Sequence, residues 1–125
     1  MPQVLIVDDA EDMCSLLSYI LKQIGFATDC VNNLSDASVA INNKVYPLIL
    51  LDNHLPDGFG IDFIECIKRD APTSKIIMIT AFDSNEVKEK ALDKGADMIV
   101  GKPFTKQTIC QAVNGLQIPT DVPPQ

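Results

Sequence analysis

Two adjacent acids, Asp8 and Asp9, follow the apolar run Val4 to Val7, and a third acid, Asp52, ends the run Leu48 to Leu51. Thr80 closes a further run, Ile76 to Ile79, and Lys102 lies just past the short run Met98 to Val100. Two carboxylates about 5 Å apart repel by roughly 3 kcal/mol at an effective dielectric near 20, so three crowded together need a cation or must take up protons. A divalent ion meets that need. Hard oxygen ligands with room for water suit magnesium, which is usually held by one or two carboxylates plus phosphate oxygens. Lys102 adds a second positive charge and Thr80 a hydroxyl donor, so the set is able to accept a phosphoryl group whose charge must be neutralised. A carboxylate is also a competent nucleophile for making an aspartyl phosphate.

Taken singly, each residue has a plainer use. Asp9 or Glu11 can cap a helix, Thr80 can begin a turn, Lys102 can be a solvated loop charge, and His54, the single histidine, can be an ordinary loop residue. What argues for a joint role is the set of elements that carries them. Val4 to Val7 is a continuous apolar run, and Met13, Leu16, Leu17, Ile20 and Ile24 then follow helical spacing until Gly25 supplies a stop. Phe26 to Val31 interrupts its apolar residues with Thr28 and Asp29, as a half-exposed edge strand does. Ala37, Ala40 and Ile41 mark a short second helix, and Phe63, Ile64 and Ile67 a third that starts near Gly60. The solid runs at 48–51 and 76–79 predict strands covered on both faces. Asp83 with Glu86 reads as a capping box for a fourth helix ending at Gly95, Met98 to Val100 as a fifth strand, and Thr105 as the cap of a last helix with Ile109, Ala112, Val113 and Leu116 on one face.

Strict alternation of five strands and five helices predicts an α/β fold: a doubly wound parallel sheet with right-handed crossovers and helices on both faces. In such a sheet the carboxyl ends of the strands share one edge, where ligands bind. Asp8, Asp9, Asp52, Thr80 and Lys102 all fall at that edge.

The 125 residues suit one domain able to bury about two thirds of the surface its unfolded chain exposes. Seventeen acidic against ten basic residues give a net charge of −7 with no local basic patch, which disfavours direct contact with nucleic acid or an anionic membrane. No apolar run reaches the roughly 18 residues a membrane span needs and no basic leader precedes one, so a soluble, cytoplasmic protein is expected. Cys14, Cys30, Cys66 and Cys110 form no C-x-x-C pair and are read as reduced and structural. The last stretch, 118–125, with three prolines and no periodicity, reads as a linker or disordered tail beyond a domain at 1–117.

Asp8-Asp9 after the first strand, Asp52 with Pro56 and Gly60 four and eight residues beyond it, Thr80-Ala81, and Lys102-Pro103-Phe104 together resemble the receiver domain of bacterial two-component response regulators. The resemblance runs from about Val4 to Leu116. It implies a flavodoxin-like five-stranded sheet of order 2-1-3-4-5, an order for which a receiver of this family is a standing example. It further implies Asp52 as phosphoacceptor, with Mg2+ held by Asp9, Asp52 and the backbone carbonyl of His54, and with Asp8 acting mainly through water. Lys102 would pair with Asp52 and then with the phosphoryl oxygens, Thr80 would hydrogen-bond the phosphoryl group, Ala81 would leave the pocket open, and Pro103 would follow a cis peptide. The implied donor is a phosphohistidine on a sensor histidine kinase or a histidine phosphotransfer protein. The surface of the fourth helix, fifth strand and fifth helix would address an output domain or partner, with homodimerisation on phosphorylation left open. The implied activity is confined to the domain's own phosphorylation and dephosphorylation.

Three positions depart from the commonest family pattern: Ile99 replaces the usual aromatic three residues before the lysine, Phe59 replaces an acid before Gly60, and Pro47 begins the third strand. His54 and Phe82, each two residues past a motif residue, would flank the path of water attacking the phosphoryl group. Other readings fit less well. A flavin binder needs hydroxyl and glycine donors where DDAED stands, a dinucleotide enzyme needs G-x-G-x-x-G after the first strand, and an aspartate-based phosphatase would carry its nucleophile after the first strand. A receiver acting as an interaction module without phosphorylation is the nearest rival, against which the five intact polar residues argue.

Overall fold

A computed structural model describes residues 2–81 and 85–118. Seven strands and five helices follow in the order β1 (Gln3–Val7), α1 (Glu11–Gln23), β2 (Ala27–Val31), α2 (Leu34–Asn43), β3 (Leu48–Asp52), β4 (His54–Leu55), β5 (Gly58–Phe59), α3 (Gly60–Asp70), β6 (Lys75–Thr80), α4 (Asn85–Lys94), β7 (Met98–Gly101) and α5 (Lys106–Gly115). Five strands form one parallel sheet in the order β2-β1-β3-β6-β7. This is the expected 2-1-3-4-5 order once the two short strands β4 and β5 are set aside.

The strand sequences explain why the sheet is covered on both sides. Successive side chains of a strand point to opposite faces, so Val4, Ile6, Leu48, Leu50, Ile77 and Ile79 pack with Leu17, Ile20 and Leu21 of α1 and Ile109 and Val113 of α5. Leu5, Val7, Ile49, Leu51, Ile76 and Met78 pack on the other face with Ala37 and Ile41 of α2, Ile61, Ile64 and Ile67 of α3, and Ala91 of α4. β3 is buried along its whole length, while β2 is half-buried to exposed, as its polar interruptions predict for an edge.

Helix ends follow their punctuation. Gly25 has φ 97°, and the N–H groups of Gly25 and Phe26 donate to the carbonyls of Lys22 and Leu21, closing α1. Gly95 does the same for α4 with φ 120°. The Thr105 hydroxyl accepts from the Thr108 N–H and caps α5. The Asp83–Glu86 capping box lies outside the described residues, as do Phe82 and residues 119–125 of the expected tail.

Three expectations need correction, and one pair of short strands is additional to the five expected. Residues 53–59 contain the antiparallel pair β4–β5, with His54 opposite Phe59 and Leu55 opposite Gly58. β2 starts at Ala27, because Phe26 is the buried residue that completes the α1 stop. Pro47 precedes β3, and its carbonyl accepts from the Lys75 N–H, so the proline abuts the sheet without having to donate to it. Cys14 and Cys30 are joined as a disulfide, whereas Cys66 and Cys110 are free thiols. The inner face of α1 lies over β2 and brings the Cα atoms of Cys14 and Cys30 to 6.2 Å, a proximity that their separation of 16 residues along the chain does not reveal.

Candidate functional site

The carboxyl ends of β1, β3, β6 and β7 bring the polar residues together. In register, Asp52 pairs with Ile79 of β6, and Thr80 pairs with Gly101 of β7, so Thr80 and Lys102 stand one strand and two strands away from Asp52. The backbone ties the loops at this edge: the N–H of Asp8 donates to the Val31 carbonyl at 3.1 Å, and the N–H of Lys102 to the Thr80 carbonyl at 2.8 Å.

Asp8, Asp9 and Asp52 each offer a carboxylate oxygen, and these oxygens all lie within 4.8 Å of one another. Asp8 and Asp52 are buried, with 2% and 7% of their surface exposed, while Asp9 is exposed. The Nζ atom of Lys102 lies 3.3 Å from an Asp52 oxygen and 3.4 Å from an Asp8 oxygen. Asp8 also serves the plainer use open to such residues, since its other oxygen accepts from the N–H of Ala10 at 2.9 Å at the start of α1. Ala10, not Asp9, occupies the cap position.

Burial pushes the Asp52 carboxyl above its ordinary value, Lys102 draws it down, and the neighbouring Asp8 raises it again. This is the balance expected where acids outnumber cations. Three carboxylate oxygens within 4.8 Å of one another form a hard, electron-rich set of the kind that holds Mg2+. The residues present therefore fit a small divalent ion.

Thr80 is 1% exposed at the end of β6. His54 is exposed, and its ring meets that of Phe59 edge to face at a centroid distance of 5.5 Å. Lys102-Pro103 is a cis peptide. Gly60 is required by close approach: a Cβ there would overlap the carbonyl oxygen of Asp52.

Three residues that position this edge escaped sequence reasoning. Buried Asn53 accepts from the Gly60 N–H through its carbonyl at 2.8 Å and from the Ile61 N–H through its side chain at 3.0 Å, closing the loop after Asp52 onto the start of α3. Asn32 donates to the Asp8 carbonyl at 3.0 Å. Asp57 accepts from the backbone N–H groups of Leu34 and Ser35. The sequence signal at each was an Asn or Asp in a turn, which is too common to single one out.

Comparison with known proteins agrees with this geometry. The family model of the response regulator receiver domain matches residues 4–114. The phosphate regulon transcriptional regulatory protein PhoB of Escherichia coli K12 is 31% identical over 116 residues, which cover 91% of this chain and 51% of that protein. The solution structure of a beryllofluoride-activated NtrC4 receiver domain dimer superposes with a TM-score of 0.87 at 37% identity, over 92% of this chain and 95% of that one. A receiver domain protein of Methanospirillum hungatei JF-1 gives the same TM-score at 27% identity, over 93% of both chains. The chain spans about half the length of PhoB, 51%.

Proposed function

This chain belongs to the response regulator receiver domain family, and from that premise we propose that Asp52 is its phosphoacceptor. A receiver is a signalling domain of response regulators. The observation that carries the finer reading is the placement of buried Asp52 against Lys102 in a cluster with Asp8 and Asp9 at the sheet edge.

A carboxylate oxygen of Asp52 attacks the phosphorus of a phosphohistidine on a sensor histidine kinase or histidine phosphotransfer protein. The P–N bond breaks, and the imidazole leaves with its electron pair and takes up a proton. Asp9, Asp52 and the His54 carbonyl would hold Mg2+ directly and Asp8 through water; the ion supplies charge neutralisation for the phosphoryl oxygens. Lys102, already 3.3 Å from Asp52, is placed to pair with those oxygens, and the Thr80 hydroxyl to donate to one of them. Loss of the Lys102–Asp52 pair and movement of Thr80 would then alter α4, β7 and α5, the surface addressed to an output domain, a partner or a second copy of the chain. The domain's catalysis extends only to its own phosphorylation and dephosphorylation.

The domain proper would occupy 1–117, followed by a linker, in the cytoplasm. Among the described residues no helix is long and apolar enough to cross a membrane. A purely phosphorylation-independent module would have no need to keep three acids and a lysine in one cluster.

The test is incubation with acetyl phosphate and Mg2+, followed by mapping of an acid-labile phosphoryl group. One group on Asp52, absent from Asp52→Asn and absent without Mg2+, is the expected result. Stoichiometric labelling of Asp52→Asn would place the acceptor elsewhere.

A further inference from the structure

The loop after Asp52 runs out through β4, turns at Pro56-Asp57, and returns through β5 to Gly60. Asn53 fastens its base. Its tip is fastened to a different element: Asp57 Oδ1 accepts from the Leu34 N–H at 2.8 Å and Oδ2 from the Ser35 N–H at 3.0 Å. Beside it, the backbone at Gly58, with φ 151°, approaches so closely that an added Cβ would lie 3.1 Å from the Leu34 side chain.

This bidentate contact does more than cap a helix. α2 already has its own cap, because Asn33 Oδ1 accepts from the Asp36 N–H at 2.7 Å. Asp57 takes the two N–H groups that Asn33 leaves, and it does so from more than 20 residues away in sequence. Those donors, the Leu34 N–H foremost, hold the Asp57 carboxyl below the ordinary carboxylate range, so it is charged at neutral pH. Immediately before α2, Asn32 Nδ2 donates to the carbonyl of Asp8, the acid that shares Lys102 with Asp52. A chain of contacts therefore runs from Asp8 through Asn32, the first turn of α2 and Asp57 to the hairpin that follows Asp52.

We propose that Asp57 is a positioning residue for phosphoryl transfer, latching the loop after Asp52 to the first turn of α2 so that, through Asn32, the spacing between Asp8-Asp9 and Asp52 is fixed from outside the acidic cluster. This rests on the reading of Asp52 as phosphoacceptor and of the cluster as an Mg2+ site. The acids repel one another, so without an external brace the loops that carry them spread, and the cation must then draw them together at the expense of affinity.

The test is an Mg2+ titration by calorimetry on wild type, Asp57→Ala, Asp57→Asn and Asn33→Ala, with thermal unfolding recorded for each. Asn33→Ala weakens the same helix end without touching the hairpin. Asp57→Ala is expected to raise the Mg2+ dissociation constant at least about threefold, a small fraction of what loss of a ligand's supporting partner commonly costs. Asp57→Asn, which keeps one acceptor oxygen, is expected between Asp57→Ala and wild type, and it carries the comparison should the alanine variant not fold. Asn33→Ala is expected to lose stability but bind Mg2+ as wild type does. Wild-type affinity in Asp57→Ala, or equal weakening in Asn33→Ala, would overturn the latch. Failure of the phosphoacceptor reading would show separately, as wild type that binds Mg2+ yet gains no acid-labile group on Asp52.

Discussion

The Nζ atom of Lys102 lies 3.3 Å from Oδ1 of Asp52, and the same ammonium group lies 3.4 Å from Asp8. One cation thus serves two buried acids. A divalent ion entering the cluster competes with Lys102 for both, and a phosphoryl group on Asp52 offers it new partners. Lys102→Ala is therefore expected to bind Mg2+ at least as tightly as wild type, within about tenfold, while losing the charge-assisted link proposed to carry phosphorylation outward. The check is an Mg2+ titration followed by amide chemical-shift mapping with beryllofluoride. Shifts in α4 and α5 of the variant as large as those of wild type would contradict the assignment.

Burial pushes the Asp52 carboxyl above its ordinary value of 3.8. For such a group the native state holds the proton more tightly than the unfolded chain, so its contribution to stability is complete below 3.8 and is lost as pH rises through the raised native value. Ionised Asp52 therefore costs stability at neutral pH. Without Mg2+, Asp52→Asn is expected to melt a few degrees above wild type at pH 7, the scale that about 1 kcal/mol sets. The gap should narrow as pH falls towards the ordinary carboxylate value, and added Mg2+ should narrow it by stabilising wild type alone. Thermal scans across pH decide this, and equal melting at pH 7 would refute it.

Ile99 of β7 pairs with Met78 of β6 and packs, partly buried, in the cluster beneath α2, α3 and α4. It carries neither ring nor hydroxyl to exchange between buried and exposed states, and its β-branched side chain has few rotamers. Coupling from Thr80 to the surface is expected to run through backbone motion of the following loop and aliphatic repacking. Ile99→Ala should cost about 1–2 kcal/mol, at or below the lower end for such truncations because the site is only partly buried. It should leave phosphorylation-dependent shifts in place. Loss of those shifts with native melting behaviour would reverse the conclusion.

What was legible in the sequence follows from how local each signal is. Solid apolar runs report burial on both faces, so the central strands and the acids at their ends were readable, and Gly25, Gly95 and Thr105 each carry a local backbone or capping requirement that names a helix end. The β4–β5 pair was not readable, because two residues per strand give no period and LPDG reads as a turn. Asn32, Asn53 and Asp57 were hidden for a different reason. Their partners, Asp8, Ile61 and Leu34-Ser35, are 24, 8 and 22–23 residues away, and only the closed fold brings them within hydrogen-bond reach. The Cys14–Cys30 contact is of the same kind.

His54 opens β4, two residues beyond Asp52, and is exposed, and Phe59 meets its ring edge to face across the β4–β5 pair. An edge-to-face partner restricts the imidazole beyond what its own rotamers would, by roughly 0.5–1.5 kcal/mol. Phe59 is itself half exposed. With its imidazole two residues along the chain from Asp52, this bulky pair is expected to narrow the approach of water to an aspartyl phosphate. A base role for His54 would need hydrogen-bond reach to an in-line water, which the ring's lateral packing disfavours. With Mg2+ constant, the aspartyl-phosphate half-life is expected to fall severalfold in His54→Asn and to a lesser degree in Phe59→Ala, which frees the imidazole without removing it. The double variant should be no faster than the product of the single effects, because the two rings act through one contact. Release of phosphate after removal of excess donor measures all four proteins. A longer half-life in His54→Asn would make the imidazole a base, and an unchanged one would reduce the residue to its backbone carbonyl.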